Sequence, residues 1–466
     1  MNSKLIVRSP FDGEVIAELD ADDEHGVDRA LDTAHQLFRN RQSWLPLNRR
    51  IEVLERTAQL MAAQHGELTR LIASEGGKPL KDAQVEVTRA IDSVRLCIEH
   101  VRSEAGDGVP MGVDQASIHR LAITRYEPVG VVAAVSAFNH PLNLIVHQVA
   151  PAVAAGCPVI VKPADVTPQC CLRFVQMLHE AGLPEAWAQV LILNDNSLAE
   201  KLVTDPRVGF FSFIGSARVG WMLRAKLAPG VRCALEHGGA APVLLMDDAD
   251  LDLAVRAVTR GGYYHAGQVC VSVQRVFAPT DIAQEFAAAL ARSVEALKVG
   301  DPLLEETDVG PLIRPAEVDR VESWVAQATE AGAPCLTGGG RLNDHLHACT
   351  VLIDPPQDVN VSRLEIFGPV VNIYTYDNVD DAVQRANALP VAFHAAVFTR
   401  DLDRALAAFH ALDASAVMVN DHTAFRIDGM PFAGLRESGL GVGGIPYTLD
   451  DMRVRKMLVL HSPALE

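Results

Sequence analysis

Val129-Gly-Val-Val-Ala-Ala-Val-Ser-Ala-Phe138 is apolar and β-branched through most of its length, with no alternation between an apolar and a polar face. Such a run reads as a strand buried on both sides. Similar runs recur at Val159 to Val161, Val190 to Leu193, Phe210 to Ile214 and Ala241 to Met246. Helix-period stretches, Leu142 to Ala155 and Thr167 to Ala181, lie between them. Buried strands alternating with helices predict a parallel sheet covered on both faces, an α/β, Rossmann-like arrangement.

Toward the N-terminus, two amphipathic helices follow a short extended start. The first carries Val27, Ala30, Leu31, Ala34 and Phe38; the second carries Ile51, Leu54, Ala58, Met61, Leu68 and Ile72 and stops at Gly76-Gly77. A third helix spans about 82–103. Toward the C-terminus, Asp247-Asp248-Ala249-Asp250 precedes a second α/β pattern. Its helices fall at about 251–264, 281–297, 316–332, 379–387 and 401–411, and its strands at about 273–278 and 369–375. Gly338-Gly339-Gly340 reads as a surface turn.

The chain has 466 residues with 41 Lys plus Arg against 59 Asp plus Glu, a net charge of −18. That balance argues against a nucleic acid or an anionic membrane as partner. With 49% hydrophobic and 21% charged residues, the composition is that of a soluble multidomain protein. The eight cysteines form no CxxC pair, and the first ten residues carry no secretory pattern, so the expected compartment is the reducing cytoplasm. No apolar run is long enough for a membrane span.

Three elements carry chemistry. Ser136-Ala-Phe-Asn139-His140-Pro141 stands where a buried strand gives way to a helix. Leu235-Glu236-His237-Gly238-Gly239 sets a carboxylate against two glycines at another strand end, and Gly267-Gln268-Val269-Cys270 places a thiol just past a helix. Sites in open α/β sheets gather at such strand ends. Taken singly, each element has a plain reading: a packed apolar thiol, a helix N-cap, a solvated turn.

Taken together, the order and spacing resemble the NAD(P)-dependent aldehyde dehydrogenase superfamily over almost the whole chain. Glu75-Gly-Gly-Lys-Pro79 is similar to the family's E-x-G-K-P turn, and Tyr126-Glu-Pro-Val-Gly-Val131 to its lead into the strand before the asparagine. Lys162-Pro-Ala-Asp165 matches K-P-A-[DE], and Phe213-Ile-Gly215-Ser216-Ala-Arg-Val-Gly220 is similar to F-T-G-S-x-x-x-G. Glu365-Ile-Phe367-Gly368-Pro369 and Pro431-Phe432-Ala-Gly434 complete the series.

The resemblance implies a Rossmann-like cofactor domain (1–107 and 129–237), an α/β catalytic domain (238–436) and a small β oligomerisation element (108–128 and 437–466). It also implies oxidation of an aldehyde to its acid. Cys270 attacks the carbonyl, Asn139 and the Cys270 backbone N–H stabilise the oxyanion, and Glu236 activates water against the thioester. For the cofactor it implies Gly215 and Ser216 at the pyrophosphate, Lys162 and Asp165 at the adenosine ribose, and Glu365 and Phe367 at the nicotinamide end. The charge of Asp165 favours NAD over NADP. The implied assembly is a homodimer or homotetramer, with Ala122 to Tyr126 and Met457 to His461 as strands.

The substrate is read from the residues. His140, Asn143 and His147 lie three and four apart, on one helix face, and Arg426 falls in Phe425-Arg-Ile-Asp-Gly-Met430, where the resembling proteins place a substrate loop. Imidazoles with a guanidinium suit a small polar or anionic aldehyde. The Asn-His-Pro and Arg-x-Asp-x-Met-Pro-Phe patterns are similar to those of family members acting on hydroxy-, phosphono- or sulfo-substituted aldehydes, and that resemblance implies a substrate of this kind. The competing reading makes Asn143 and His147 satisfied core residues and pairs Arg426 with Asp428. Val269 stands where other members with anionic substrates carry an arginine, and Arg95 reads as a solvated helix residue. The loop Asn194-Asp-Asn-Ser197 lacks the family's glycines, and His237 and Ala240 replace a commoner Leu and Lys. His345-x-His347-x-Cys349 is read as loop surface, with no metal assigned. The alternatives are a dehydrogenase that passes its acyl group to coenzyme A, which Glu236 argues against, and a non-catalytic binding protein.

Overall fold

The structure, a computed structural model, describes residues 3–465. The run that opens the sequence reading forms strand β1 (Val131–Val135). It joins β2 (Val159–Lys162), β3 (Ala188–Val190), β4 (Val208–Ile214) and β5 (Arg232–Glu236) in the order β5-β4-β1-β2-β3, all parallel. Its lack of alternation has a direct cause. Val132 and Ala134 enter one apolar core, while Val131 and Ala133 enter another on the opposite face.

Helix α1 (Glu24–Arg39) covers the second of those faces. The first face is covered by α2 (Leu47–Ala63), α3 (His65–Gly76), α4 (Leu80–Ser103), α5 (Asn143–Ala155) and α6 (Gln169–Glu180). The helix expected from Ile51 to Ile72 is therefore two helices, broken at Gln64 (φ −109°, ψ 23°). Gly77 ends α3 as expected, in the left-handed region at φ 69° with its N–H on the Ala73 carbonyl. The strand expected at Val190 to Leu193 lies two residues earlier. The Ile192 backbone leaves the ladder because both its N–H and its carbonyl bond to Asp22, at 2.9 and 2.7 Å.

After the helix α7 (Ala217–Arg224), a second sheet forms from β6 (Ala241–Leu245), β7 (Val273–Pro279), β8 (Cys335–Thr337), β9 (Thr350–Ile353), β10 (Val370–Tyr376), β11 (His394–Phe398) and β12 (Ala416–Val419). Its order is β8-β9-β10-β7-β6-β11-β12, parallel except at β8/β9. Helices α8 (Leu251–Tyr263) and α9 (Pro315–Glu330) pack into its core.

A third, three-stranded sheet pairs Arg453–His461 with Arg120–Pro128, and the latter with Gly108–Val109, all antiparallel. Residues 437–452, expected in that small element, instead return to the first sheet. Gly439–Leu440 adds an antiparallel edge to β5, and Ile445, Leu449 and Met452 are buried in the core beneath α5. Burial of those three apolar side chains outweighs continuity with the tail. Among the described residues, no helix is long and apolar enough to cross a membrane.

Candidate active site

The carboxyl ends of the first sheet face a cavity of about 800 Å³ whose lining includes Asn139, Lys162, Ser216, Glu236, Cys270 and Arg426. Every expected catalytic and cofactor residue lines it. Of the four expected substrate residues, His140, Asn143 and Arg426 line it and His147 does not.

The thiol loop is set by unusual backbone. His265 (φ 49°), Ala266 (φ 56°) and Gly267 (φ 71°) are consecutive left-handed residues, a conformation that costs a non-glycine residue about 1–2 kcal/mol. Gly267 is required, because a Cβ there would lie 2.1 Å from the Gly368 carbonyl oxygen. Gln268 locks the turn: Nε2 donates to the His265 and Pro311 carbonyls at 3.2 Å, and Oε1 accepts the Ile313 N–H at 2.9 Å. Asn139 Nδ2 donates to the Gln268 carbonyl at 2.9 Å, leaving its second N–H for the cavity.

Burial pushes the Cys270 thiol up to about 12, with the Arg426 charge opposing and the Glu236 and Glu365 carboxylates adding to the rise. Burial also raises Glu236, again opposed by Arg426. Glu236 is the last residue of β5, and Gly443 gives it room, since a Cβ at Gly443 would lie 2.2 Å from Glu236 Oε1. Glu365 accepts the Gly239 N–H at 3.1 Å and is raised to about 7 by burial. Phe367 packs edge-on against Phe138, with ring centroids 5.8 Å apart.

Several features suit a dinucleotide. Ser216 caps α7 without a side-chain bond to its first turn, so those N–H groups are left for an anion. His237 Nδ1 donates to the Gly215 carbonyl at 3.0 Å and fixes that turn; Gly220 is the glycine that leaves space for its ring. Lys162 ends β2 and Asp165 follows it, but Asp165 is paired with Arg314, 3.1 and 3.2 Å from its two oxygens. The repulsion of a 2′-phosphate expected from Asp165 is thus offset by an adjacent guanidinium.

At the substrate residues, Asp428 is the hub. Arg89 holds it through both oxygens, Nε at 3.0 Å and Nη2 at 2.7 Å, while Asn143 Nδ2 donates at 3.0 Å and His147 Nε2 lies at 2.8 Å. Burial opposes ionisation, yet the His147 bond and the Arg89 charge hold the Asp428 carboxyl well below the usual carboxylate range. His147 is therefore a buried support behind the wall, because the carboxylate claims its ring nitrogen. Arg426 does not bond to Asp428. Its guanidinium lies 3.6 Å from the Phe432 ring centroid, and Nη2 is 3.5 Å from His147 Nδ1. His140 Nε2 is 3.4 Å from the Tyr264 hydroxyl.

The sequence reading missed Arg89, Arg260, Tyr264 and Arg314, all of which line the cavity. Arg95, read as a solvated helix residue, is exposed and pairs with Asp92 at 3.0 Å; the arginine of α4 that lines the cavity is Arg89. The missed signal is a polar stripe on α4, Asp82, Glu86, Arg89 and Ser93, at three- and four-residue steps.

The Glu75-to-Pro79 turn supports the site from behind. Lys78 and Glu86, both fully buried, form an ion pair, and Glu86 accepts the N–H groups of Leu142 and Asn143 at 3.0 and 3.1 Å, where α5 begins. Glu75 does the same for α6, accepting from Gln169 and Cys170 at 2.8 and 2.9 Å. Elsewhere, His100, Glu104 and Asp450 converge, but the Arg453 guanidinium bonds to all three and makes the cluster an ion-pair network.

A model of the aldehyde dehydrogenase family matches residues 1–458. The chain is 37% identical to a 3-sulfolactaldehyde dehydrogenase of Priestia megaterium, over 98% of this chain and 95% of that one. It is 33% identical to a lactaldehyde dehydrogenase of Methanocaldococcus jannaschii, over 98% and 97%. Among solved structures, aldehyde dehydrogenase 21 of Physcomitrella patens, in complex with the reaction product succinate, superimposes with a TM-score of 0.95 at 33% identity, covering 99% of this chain and 96% of that one. A glyceraldehyde-3-phosphate dehydrogenase of M. jannaschii complexed with NADP gives a TM-score of 0.93 at 33% identity, covering 99% and 100%.

Proposed function

The chain belongs to the aldehyde dehydrogenase family, and from that premise we propose that it oxidises a short aldehyde carrying a hydroxyl or anionic group to the corresponding acid. The observation that carries this reading is Arg426. It is a guanidinium on the cavity wall shared with Cys270, and no carboxylate hydrogen-bonds to it among the described residues. Arg89 beside it is already matched by Asp428, so Arg426 is the cation left for a sulfonate, phosphonate or carboxylate. Relatives named for sulfolactaldehyde and lactaldehyde support the same class.

Cys270, deprotonated, attacks the aldehyde carbon. Asn139 and the Cys270 N–H receive the developing oxyanion; removing one such donor costs an acyl-transfer enzyme about 2.7–4 kcal/mol. Lys162, Gly215, Ser216, Glu365 and Phe367 would hold NAD(P), which when bound would supply the acceptor for the hydride that leaves the thiohemiacetal carbon and so converts it to the Cys270 thioester. Glu236 takes a proton from water, which attacks the thioester, releases the acid and returns the thiol. Burial, by raising its proton affinity, makes Glu236 a stronger base than an exposed carboxylate.

The test is steady-state turnover with acetaldehyde, hexanal, lactaldehyde, succinate semialdehyde and 3-sulfolactaldehyde. Highest kcat/KM for a hydroxy or acidic substrate is expected; highest kcat/KM for hexanal rejects the reading. The first sheet with its helices is the cofactor unit in this proposal, and the second sheet is the catalytic unit. A second copy of the chain is proposed to cover the small sheet, where Met457 and Leu458 are 53% and 52% exposed and Leu121 and Ile123 lie on the adjacent strand. Light scattering showing a monomer at micromolar concentration would refute it. The cytoplasm is the proposed compartment, which fits eight cysteines present as free thiols.

A further inference from the structure

We propose that Arg314 sets the acceptance of a 2′-phosphorylated cofactor, so that the enzyme uses both NAD and NADP and owes the second to this residue. The inference rests on reading the cavity as the NAD(P) site. Lys162 ends a parallel strand next to β1, the place where doubly wound sheets meet the adenosine ribose. Asp165 follows it, and an acidic group there ordinarily selects a free ribose hydroxyl.

Arg314 changes that balance. It reaches across from the second sheet's side as the residue capping α9, and a single nitrogen, Nη2, serves both Asp165 oxygens. Both partners are 48% exposed, so water screens the pair and it opens readily. The neighbouring carboxylate Glu317 is engaged by Arg320 at 2.8 Å. The charged groups around Lys162 are Asp165 and Arg314, two cations against one anion. A ribose hydroxyl leaves the Arg314–Asp165 pair in place. A 2′-phosphate competes with Asp165 for Arg314 and takes Lys162 as a second cation.

Fluorescence titration of the full chain with NADH and NADPH tests this without any aldehyde. Wild type is expected to bind both. Arg314→Gln is expected to weaken NADPH about 10–100-fold, the worth of a hydrogen bond to a charged group, and NADH less than about threefold. Asp165→Asn is expected to tighten NADPH by releasing Arg314. Equal changes in the two affinities, no change, or a wild type that binds NADH alone overturns the assignment to Arg314. A wild type that binds neither nucleotide overturns the cofactor reading beneath it.

Discussion

Asn139 Nδ2 donates to the carbonyl oxygen of Gln268 at 2.9 Å and so ties the end of β1 to the loop that carries Cys270. The bond crosses from the first sheet's side to the second's. One amide thereby braces the thiol loop and, in the proposed mechanism, keeps its second N–H for the oxyanion.

Asn139→Ala removes both roles. We expect kcat/KM to fall about 10²–10³-fold, as for loss of an oxyanion donor, while the folded protein survives with a loss of about 1 kcal/mol for the broken bond. Stopped-flow turnover and thermal melting, measured on the same samples, separate the two.

Glu236→Gln is expected to leave the first hydride transfer and stop the second half of the reaction. A burst of about one NADH per active site, followed by almost no steady rate, is the expected record. In the wild type the deacylation rate is expected to rise with pH as Glu236 loses its proton, because only the carboxylate accepts one from water. Burial raises that midpoint above the ordinary glutamate range. A burst-free, fully active variant removes Glu236 from the role of base.

Gly443→Ala places a methyl group 2.2 Å from the present position of Glu236 Oε1, so the carboxylate must shift. The expected defect is the same one, steady turnover reduced with the burst kept. A variant with normal steady turnover shows that Glu236 tolerates displacement.

Arg426→Gln is expected to cost an acidic aldehyde about 10–100-fold in kcat/KM relative to acetaldehyde, in line with one charge-assisted contact. The same change removes the cation that opposes the rise of the Cys270 thiol. Alkylation of Cys270 by iodoacetamide at neutral pH is therefore expected to slow. Unchanged substrate ratios reject Arg426 as the anion-reading group.

Asp428 links stability to pH. Its folded carboxyl titrates far below the usual range, so its contribution is complete above the unfolded value of about 3.9 and is lost as pH falls toward the folded value. At pH 7, Asp428→Asn is expected to cost about 3–5 kcal/mol, the cost of leaving one partner of a buried pair unmatched. Denaturant melts of wild type and variant should converge in acid; a constant gap from pH 7 to pH 2 rejects this assignment.

The parallel sheet was legible because residues such as Val131 and Val132 are apolar for two different cores. Asn139, Glu236 and Cys270 were legible as candidates through the order and spacing of the family-like motifs around them, since each alone has a plain structural reading. Strands β11 and β12 were not: His394 opens β11 with a polar side chain whose Nδ1 is satisfied by the Thr423 carbonyl, a partner 29 residues away. The substrate wall was legible only in part. Asp82, Glu86 and Ser93 form a polar stripe on α4 that the sequence reading did not single out; all three are buried, and their partners Arg260, Leu142 and Asn143 come from elements far along the chain. Spacing along one helix reveals which residues share a face but not whether that face meets water.

The edge strand Gly439–Leu440 and the burial of Ile445, Leu449 and Met452 bear on synthesis. A nascent chain on the ribosome has made β1 to β5 by residue 236, but the last strand of that sheet and the last piece of its core arrive some two hundred residues later. The amino-terminal half must wait, incompletely closed, until residues 439–452 have been made. A truncation before residue 439 should be handed to chaperones or proteases rather than persist as a folded fragment.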